Sequence, residues 1–297
     1  MFDLRYHVAS LAAVFLALVV GILIGVGLTT QGVISTSERK VLNQRISDLQ
    51  HQRDSARQRA SDLNKAKRVA DAYVKRTYPA LMAGRLASTR VAVLFAGATD
   101  GRVRSEIEET LNDAGSRGSV RLRSLKVPLE LRKVNRTLAA RGFTRYLGQP
   151  GRLGSALADE FVLGGRTPLW DALSRQLVGD RAGKNDGPVD AVVVVRSAPA
   201  QMQASAHFLS GIYNELVGLG VPVVGVEDTD SPLSAVDTFR RHGMSSVDDV
   251  DTSAGRLALA VVLAGGQSGH YGVKRSADDL LPPVSPIESV SRATASG

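Results

Sequence analysis

The chain has 297 residues and a formal net charge of +8, and it contains no cysteine. The missing thiols exclude disulfide bridges, thiolate catalysis and every metal site that needs a cysteine ligand. Apolar residues make up 43% of the chain and charged residues 22%, which suits one folded domain with appended segments. Because only 5% of the residues are aromatic, we expect a core built mainly from Val, Leu, Ile and Ala, as in an α/β domain.

Residues 8–28 form a predominantly apolar run without a charged side chain. As a helix this run is about 30 Å long, which matches the hydrocarbon thickness of a bilayer. The sequence therefore predicts that residues 1–34 comprise a short tail and a single transmembrane helix surrounded by membrane lipid. A cleaved signal peptide is the alternative, but its apolar region is usually about 7–15 residues long and ends at a small-x-small site, which residues 27–29 match poorly.

Small side chains recur at every fourth position of this predicted membrane helix. The stripe consists of Ala9, Ala13, Ala17, Gly21, Gly25 and Thr29. Such a stripe lets a second helix approach closely, so it predicts a homodimer within the membrane. The alternative is that Ala and Gly are simply common in membrane helices.

The segment 35–80 is polar and carries a heptad repeat, which predicts a coiled-coil stalk. The apolar seam comprises Leu42, Ile46, Leu49, Ala56, Ala60, Leu63, Ala70 and Val74. Arg53 and Lys67 occupy two further seam positions, so the repeat is weak in its middle. Because paired membrane helices would bring two stalks together, we expect one parallel homodimer through both segments. A solitary helix, or one packed on its own domain, is the alternative.

The positive charge of the chain is concentrated in this stalk and in the ten residues after it. Residues 36–90 contain thirteen Lys or Arg and five Asp or Glu, a surplus of eight that equals the net charge of the whole chain. The remaining folded region is near neutral and offers no basic face with stacking groups, so we predict no nucleic-acid partner. A basic segment beside a bilayer favours contact with anionic headgroups or envelope polymers, although a solvated helix face is the commoner explanation.

Residues 88–275 alternate between strand-like and helix-like segments, which predicts an α/β domain with a mainly parallel, Rossmann-like sheet. The predicted strands are residues 90–95, 119–126, 190–196 and 221–226, with a short edge strand at 245–247. The predicted helices are residues 103–114, 128–141, 153–163, 169–177, 200–219, 232–241 and 254–263. Residues 276–297 are rich in Pro and Ser, and we expect them to be disordered.

Ligands of such sheets bind beyond the carboxyl ends of the strands, which directs attention to residues 97–101, 197–199 and 227–231. None of these loops carries a dinucleotide or phosphate-binding signature. The glycine-dense segment 265–272 implies tight backbone geometry, and we interpret its His270 as a hydrogen-bonded structural residue.

Two acidic segments precede predicted helices. Residues 227–230 hold three carboxylates that would suit a divalent cation, but Ser231 followed by Pro232 is typical of a helix start. Residues 248–251 precede Thr252 in the same way, so we interpret both segments as complementing helix N-termini. No Ser lies in a nucleophile-elbow context, and the sequence predicts neither an enzyme nor a resident cofactor or metal.

Three segments together resemble the actinobacterial MctB family of copper transporters. They are YHVASLAAVFLALVVGILIG near the N-terminus, SVDDVDTSAGRLALAVVLAGG at residues 246–266, and GHYG at residues 269–272. The resemblance covers roughly residues 1–273. It implies a single-span envelope protein with its domain outside the cytoplasm and a role in copper efflux or homeostasis. For the related SteB proteins it also implies a role in cell division with a cytoplasmic partner, SteA.

The residues themselves agree only partly with these implications. Arg39, Lys40 and Arg45 follow the predicted span, and simple positive-inside counting would place the large domain in the cytoplasm. Copper(I) prefers soft Cys and Met ligands, whereas this chain lacks Cys and its methionines are scattered singly. Two hypotheses therefore stand: a component of a copper export system, or a dimeric scaffold that acts across the envelope.

Overall fold

The computed structural model describes residues 4–30, 36–116, 118–232 and 234–285. The chain divides into two compact units, Met1–Asp71 and Ala72–Gly297. The first unit contains helix α1 (Leu4–Thr30) and most of helix α2 (Thr36–Met82). The predicted apolar N-terminal helix and the long polar helix that follows it are thus confirmed.

Helix α1 contains one stretch, His7–Val26, that is long and apolar enough to cross a membrane, with a mean hydropathy of 2.7. Every described side chain of α1 is exposed, as is every residue of α2 from 38 to 76. Pro79 lies within the last turns of α2, which continues past it to Met82.

The second unit is built on a seven-stranded sheet with the strand order β3-β2-β1-β4-β5-β6-β7. The strands are β1 (Val91–Ala96), β2 (Arg121–Leu125), β3 (Val178–Gly183), β4 (Ala191–Val195), β5 (Val223–Val226), β6 (Ser245–Val247) and β7 (His270–Tyr271). All neighbouring strands run parallel except β2 and β3, which pair antiparallel. The predicted mainly parallel sheet is therefore confirmed.

Helices cover both faces of this sheet. They are α3 (Gly101–Asp113), α4 (Leu131–Ala140), α5 (Pro150–Leu163), α6 (Pro168–Leu177), α7 (Gln203–Gly218), α8 (Val236–Arg241) and α9 (Ser253–Leu263), with a 3-10 turn at Thr144–Tyr146. Successive side chains of a strand point to opposite faces. Accordingly Ala92 and Leu94 join the core beneath α4 to α8, whereas Val93 and Phe95 join the core beneath α3 and α9.

The structure corrects the sequence prediction at the two edges of the sheet. Strand β3 was not predicted, because the adjacent, exposed Asp180 and Arg181 lie between small residues, a pattern that does not indicate a buried strand. The predicted edge strand at 245–247 is not at the edge, because the two-residue strand β7 pairs beyond it. Strand β7 has only two residues, so its residue pattern could not predict a strand.

Two predicted boundaries also differ. Helix α8 begins at Val236 after Ala235, so Ser231 and Pro232 do not start a helix as predicted. The chain beyond residue 275 is still bound to the sheet, because Asp278 N–H donates to His270 O at 2.7 Å and Gly272 N–H donates to Asp279 O at 3.0 Å. The rest of the predicted disordered tail, residues 286–297, lies outside the described part of the chain.

Candidate functional site

The sheet has one topological switch point, between β1 and β4. From β1 the chain passes through α3 to β2 on one side, and from β4 it passes through α7 to β5 on the other. The loops that follow β1 and β4 therefore diverge and leave a crevice beyond the carboxyl ends of the strands. A cavity of about 430 Å³ lies there, lined by residues from the loops after β1, β4 and β5. These are the three loops that the sequence singled out.

Gly97 fixes the floor of this crevice. Its φ is +133°, and a Cβ at this position would lie 2.8 Å from the backbone nitrogen of Ala198. Ala198 N–H in turn donates to Ala96 O at 3.2 Å. Glycine is thus required because the loops after β1 and β4 touch through their backbones.

The N-terminus of α3 points at the cavity but is already satisfied. The carboxylate of Asp100 accepts hydrogen bonds from the backbone N–H groups of Arg102, at 2.9 Å, and Val103, at 3.2 Å. An anion would have to displace this capping carboxylate. The geometry therefore agrees with the absence of a phosphate-binding signature in the sequence.

Arg102 stands among three carboxylates at the rim of the cavity. Its guanidinium nitrogens lie 3.7 Å from Asp228, 4.0 Å from Asp230 and 3.6 Å from Asp251. Burial raises the pKa of Asp228 despite the nearby Arg102. Burial also opposes ionisation of Asp251, but hydrogen bonds from the backbone and hydroxyl of Thr229 hold its pKa below the ordinary value.

Glu227 is buried behind this rim and is fully engaged. Its Oε1 pairs with Lys274 Nζ at 2.7 Å, and its Oε2 accepts from Ala235 N–H at 2.7 Å. Lys274 Nζ also donates to Asp228 O at 2.8 Å. Through Ala235, the N-cap of α8, Glu227 complements a helix N-terminus as the sequence suggested. Through Lys274 it also joins the loop after β5 to the segment after β7, which was not predicted.

Two consecutive carboxylates, Asp248 and Asp249, are completely buried beside this pair. Asp248 Oδ1 accepts from the backbone N–H groups of Val273, at 2.9 Å, and Lys274, at 3.2 Å. A Cβ at Gly272 would overlap Asp248 Oδ1, so the turn requires glycine. Burial raises the pKa of both carboxyl groups, and each has one oxygen without a hydrogen-bond partner among the described residues.

Only part of the acidic segment 248–251 serves helix α9. Thr252 is the N-cap, its hydroxyl accepting from Gly255 N–H at 3.0 Å while donating to Asp249 Oδ2 at 2.8 Å. Asp248 instead holds the backbone after β7. Asp249 lies at the N-terminus of α9 as interpreted, but it contacts the hydroxyl of the N-cap Thr252 and no backbone N–H group of the described helix. The interpretation is wrong for Asp248, because β7 was not foreseen.

His270 has the structural role expected of it. Its Nδ1 lies 2.9 Å from Ser246 Oγ, and the side chain is buried. Burial and the nearby Arg240 lower the pKa of His270. The segments 246–266 and 269–272 thus form one cluster, in which β6 pairs with β7 and the turn at Gly272 closes over Asp248.

The predicted dimerisation residues lie in the two N-terminal helices. Ala9, Ala13, Ala17, Gly21 and Gly25 occupy consecutive turns of α1, and the side chain of Thr29 lies outside the described part. The seam residues Leu42, Ile46, Leu49, Ala56, Ala60, Leu63, Ala70 and Val74 are all exposed on the single helix α2.

The two basic residues that organise the site were not predicted from the sequence. Arg102 and Lys274 lie far apart in the sequence, and neither belongs to a recognisable motif. The described residues contain no group of three or more His, Cys, Asp or Glu side chains that could hold a metal ion. The arrangement can hold a polar ligand at the switch point, but it has no nucleophile, general base and oxyanion donor brought together among the described residues.

Comparison with known proteins places the chain in a family. The family described as "Copper transport outer membrane protein, MctB" matches residues 1–282. Proteins named "Copper transporter MctB" from Mycobacterium tuberculosis, strains H37Rv and CDC 1551, and from Mycobacterium bovis are each 26% identical over 317 residues. Each alignment covers 93% of this chain and 98% of the relative. Since the family match takes in the apolar helix, the long helix and the whole sheet, the chain belongs to the MctB family.

Proposed function

We propose that this protein is a membrane-anchored, dimeric envelope protein that supports copper export or tolerance without itself carrying copper on a soft-ligand site. The observation that carries the copper role is the family match over residues 1–282. The same resemblance supports a domain outside the cytoplasm, with one span at the N-terminus. The Rossmann-like sheet then serves as a binding or regulatory domain and has no catalytic function.

The side chains available as copper ligands support an indirect role in copper handling. The chain has no Cys, and Cu(I) favours thiolate and thioether ligands. Met82 and Met244 are buried in the two separate cores, and Met202 is exposed. Three methionines so placed cannot converge on one ion. Copper is therefore best treated as the cargo of a system to which this protein belongs.

The exposed seam of α2 supports a parallel homodimer. Leu42, Leu49 and Leu63 are 53%, 62% and 71% exposed, although they recur on one heptad position. A helix without tertiary packing is marginally stable in water, and a second copy in register would cover this stripe. The small-residue stripe of α1 supplies a matching contact in the membrane. We propose a coiled coil continuous with the paired membrane helices.

The genetic test compares copper tolerance with septum morphology in a strain that lacks the gene. The proposal expects growth of the deletion strain to become sensitive to copper and to be restored by the wild-type chain. Septum defects with unchanged copper tolerance would overturn it. That result would favour the second candidate, a SteB-like scaffold that works with a SteA-like cytoplasmic partner. The lack of Cys and of clustered Met ligands for copper also favours this candidate.

The biochemical test titrates the detergent-solubilised full chain with Cu(I) under reducing conditions, in competition with a chelator. The proposal expects no stoichiometric complex. The variant Met202→Leu removes the one exposed thioether of the described chain, and Met244→Leu is the matched buried control. Stoichiometric binding that Met202→Leu abolishes and Met244→Leu leaves intact would show that the protein carries copper directly.

A further inference from the structure

A second, smaller cavity shares Arg196 and Pro199 with the one at the switch point. Its volume is about 130 Å³, and it lies between the end of β1, the loop after β4, α7 and α8. Its polar lining residues are Arg196, Gln201, Ser210, Tyr213, Thr238, Arg241 and His242. No Asp or Glu is among the described residues that line it. The two adjoining cavities thus differ in charge, because the larger one is lined by four carboxylates.

Two guanidinium groups converge on a single hydroxyl in this smaller cavity. Arg196 Nη1 donates to Thr238 Oγ1 at 3.1 Å, and Arg241 Nη2 donates to the same atom at 3.4 Å. Arg196 Nη2 also donates to Ser234 O at 2.9 Å, and Arg241 Nε donates to Asp237 O at 3.1 Å. These four hydrogen bonds are accepted by neutral oxygen atoms, and they orient the two guanidinium groups at the cavity.

Tyr213 contributes a buried hydroxyl group to the same cavity. Its side chain is 2% exposed, yet its hydroxyl has no hydrogen-bond partner among the described residues. Burial raises the pKa of Tyr213, so the hydroxyl keeps its proton and is available as a donor. Buried hydroxyl groups nearly always find a partner. An acceptor inside the cavity would provide one.

His242 completes the wall beside Tyr213. Its ring packs edge-on against the Tyr213 ring with 5.3 Å between centroids, and its Nδ1 lies 2.7 Å from Asn214 Oδ1. Burial and the neighbouring Arg241 lower the pKa of His242. The imidazole is thus held in place by Asn214, and a negative charge in the cavity would offset the effect of Arg241 on it.

We propose that this cavity binds a small free oxyanion, of the size and charge of phosphate or sulfate, between Arg196 and Arg241 with the Tyr213 hydroxyl as a further donor. Arginine pairs well with such anions because its fork of N–H groups matches their oxygen atoms. The volume suits one tetrahedral anion and is well below the roughly 300–1,000 Å³ typical of sites for larger ligands. The site is independent of the proposed copper role.

The test measures thermal unfolding of the full chain in detergent through the fluorescence of Trp170, the single tryptophan. Inorganic phosphate is titrated against chloride at constant ionic strength, and sulfate is titrated in the same way. The proposal expects a saturable rise of the unfolding temperature. Arg241→Gln should raise the half-saturating phosphate concentration about tenfold, since one charge-assisted hydrogen bond is lost. Arg102→Gln, in the larger cavity, is the matched control and should bind phosphate as the wild type does.

Tyr213→Phe separates binding from structure. Without phosphate this variant should unfold at the wild-type temperature or above it, because a buried hydroxyl without a partner is removed. With phosphate it should gain less stability than the wild type. The proposal is overturned if the wild type shows no saturable rise. It is also overturned if Arg241→Gln and Tyr213→Phe leave the rise unchanged, or if Arg102→Gln abolishes it.

Discussion

In the α/β unit every side chain of β1 and β4 is buried, whereas every described side chain of α1, and of α2 up to residue 76, is exposed. Both regions nevertheless carry apolar residues in regular patterns. Those of the sheet are covered by helices of the same chain. Those of the two N-terminal helices are exposed, and lipid and a second copy are the partners that we propose. The comparison teaches that one chain can combine a self-sufficient domain with helices whose apolar faces depend on their surroundings.

The largest expected effect is the loss of an aromatic side chain from the α/β core. Phe208→Ala should lower the free energy of unfolding by about 3–5 kcal/mol, because it leaves a cavity beneath α7. Trp170 is buried within this unit, so its fluorescence in a urea titration reports on this unit alone. Leu49→Ala, on the exposed face of α2, is the matched control. Equal losses for the two variants would contradict the contrast between the units.

A smaller loss is expected from breaking the buried ion pair behind the switch-point cavity. Lys274→Met leaves Glu227 without its cation, and we expect about 3 kcal/mol of destabilisation. Lys274→Arg keeps the charge and should recover most of that loss. The same Trp170-monitored urea titration measures both. If Lys274→Met were as stable as the wild type, the ion pair to the segment after β7 would contribute little to the free energy of unfolding.

The smallest of these stability effects depends on pH and has the opposite sign. Because burial raises the pKa of Asp249, the native state binds more protons than the unfolded state, and stability falls as pH rises from the ordinary Asp range through the raised pKa. Asp249→Asn should therefore be at least as stable as the wild type at about pH 7. The stability advantage of Asp249→Asn over the wild type should vanish at about pH 4, the ordinary pKa of Asp. Urea titrations across this range test the prediction, and destabilisation at neutral pH would indicate that the carboxylate has a cationic partner.

The central part of the fold could be predicted from the sequence, and its edges could not. Runs such as Ala191–Val195 are apolar at every position, and such a run predicts a strand that is covered by helices on both faces. Strands β3 and β7 are held by pairing with neighbours that are distant in sequence, so their own residues carry little signal. The three loops of the switch-point cavity were identified by the general rule for parallel sheets. Arg102 and Lys274 were not, because their roles depend on which loops the fold brings together.

The buried carboxylates show the same limit. Acidic residues before Thr252 predict contacts at the helix N-terminus, and Asp249 makes such a contact through the hydroxyl of the N-cap Thr252. Asp248 departs from it because its partners, Val273 and Lys274, become neighbours only after β7 has paired with β6. Local patterns thus identified the residues, but the partners of each residue followed from tertiary structure.

The most direct test of the contrast between the two units is disulfide cross-linking in native membranes, which is unambiguous because the chain has no Cys of its own. Leu42→Cys places a thiol on the seam of α2, and Gln44→Cys places one two residues away on the opposite side of the same helix. A parallel coiled coil requires that oxidation converts the Leu42→Cys chain to a covalent dimer and leaves the Gln44→Cys chain monomeric. Equal cross-linking at both positions, or none at either, would contradict parallel pairing and leave α2 a solitary helix.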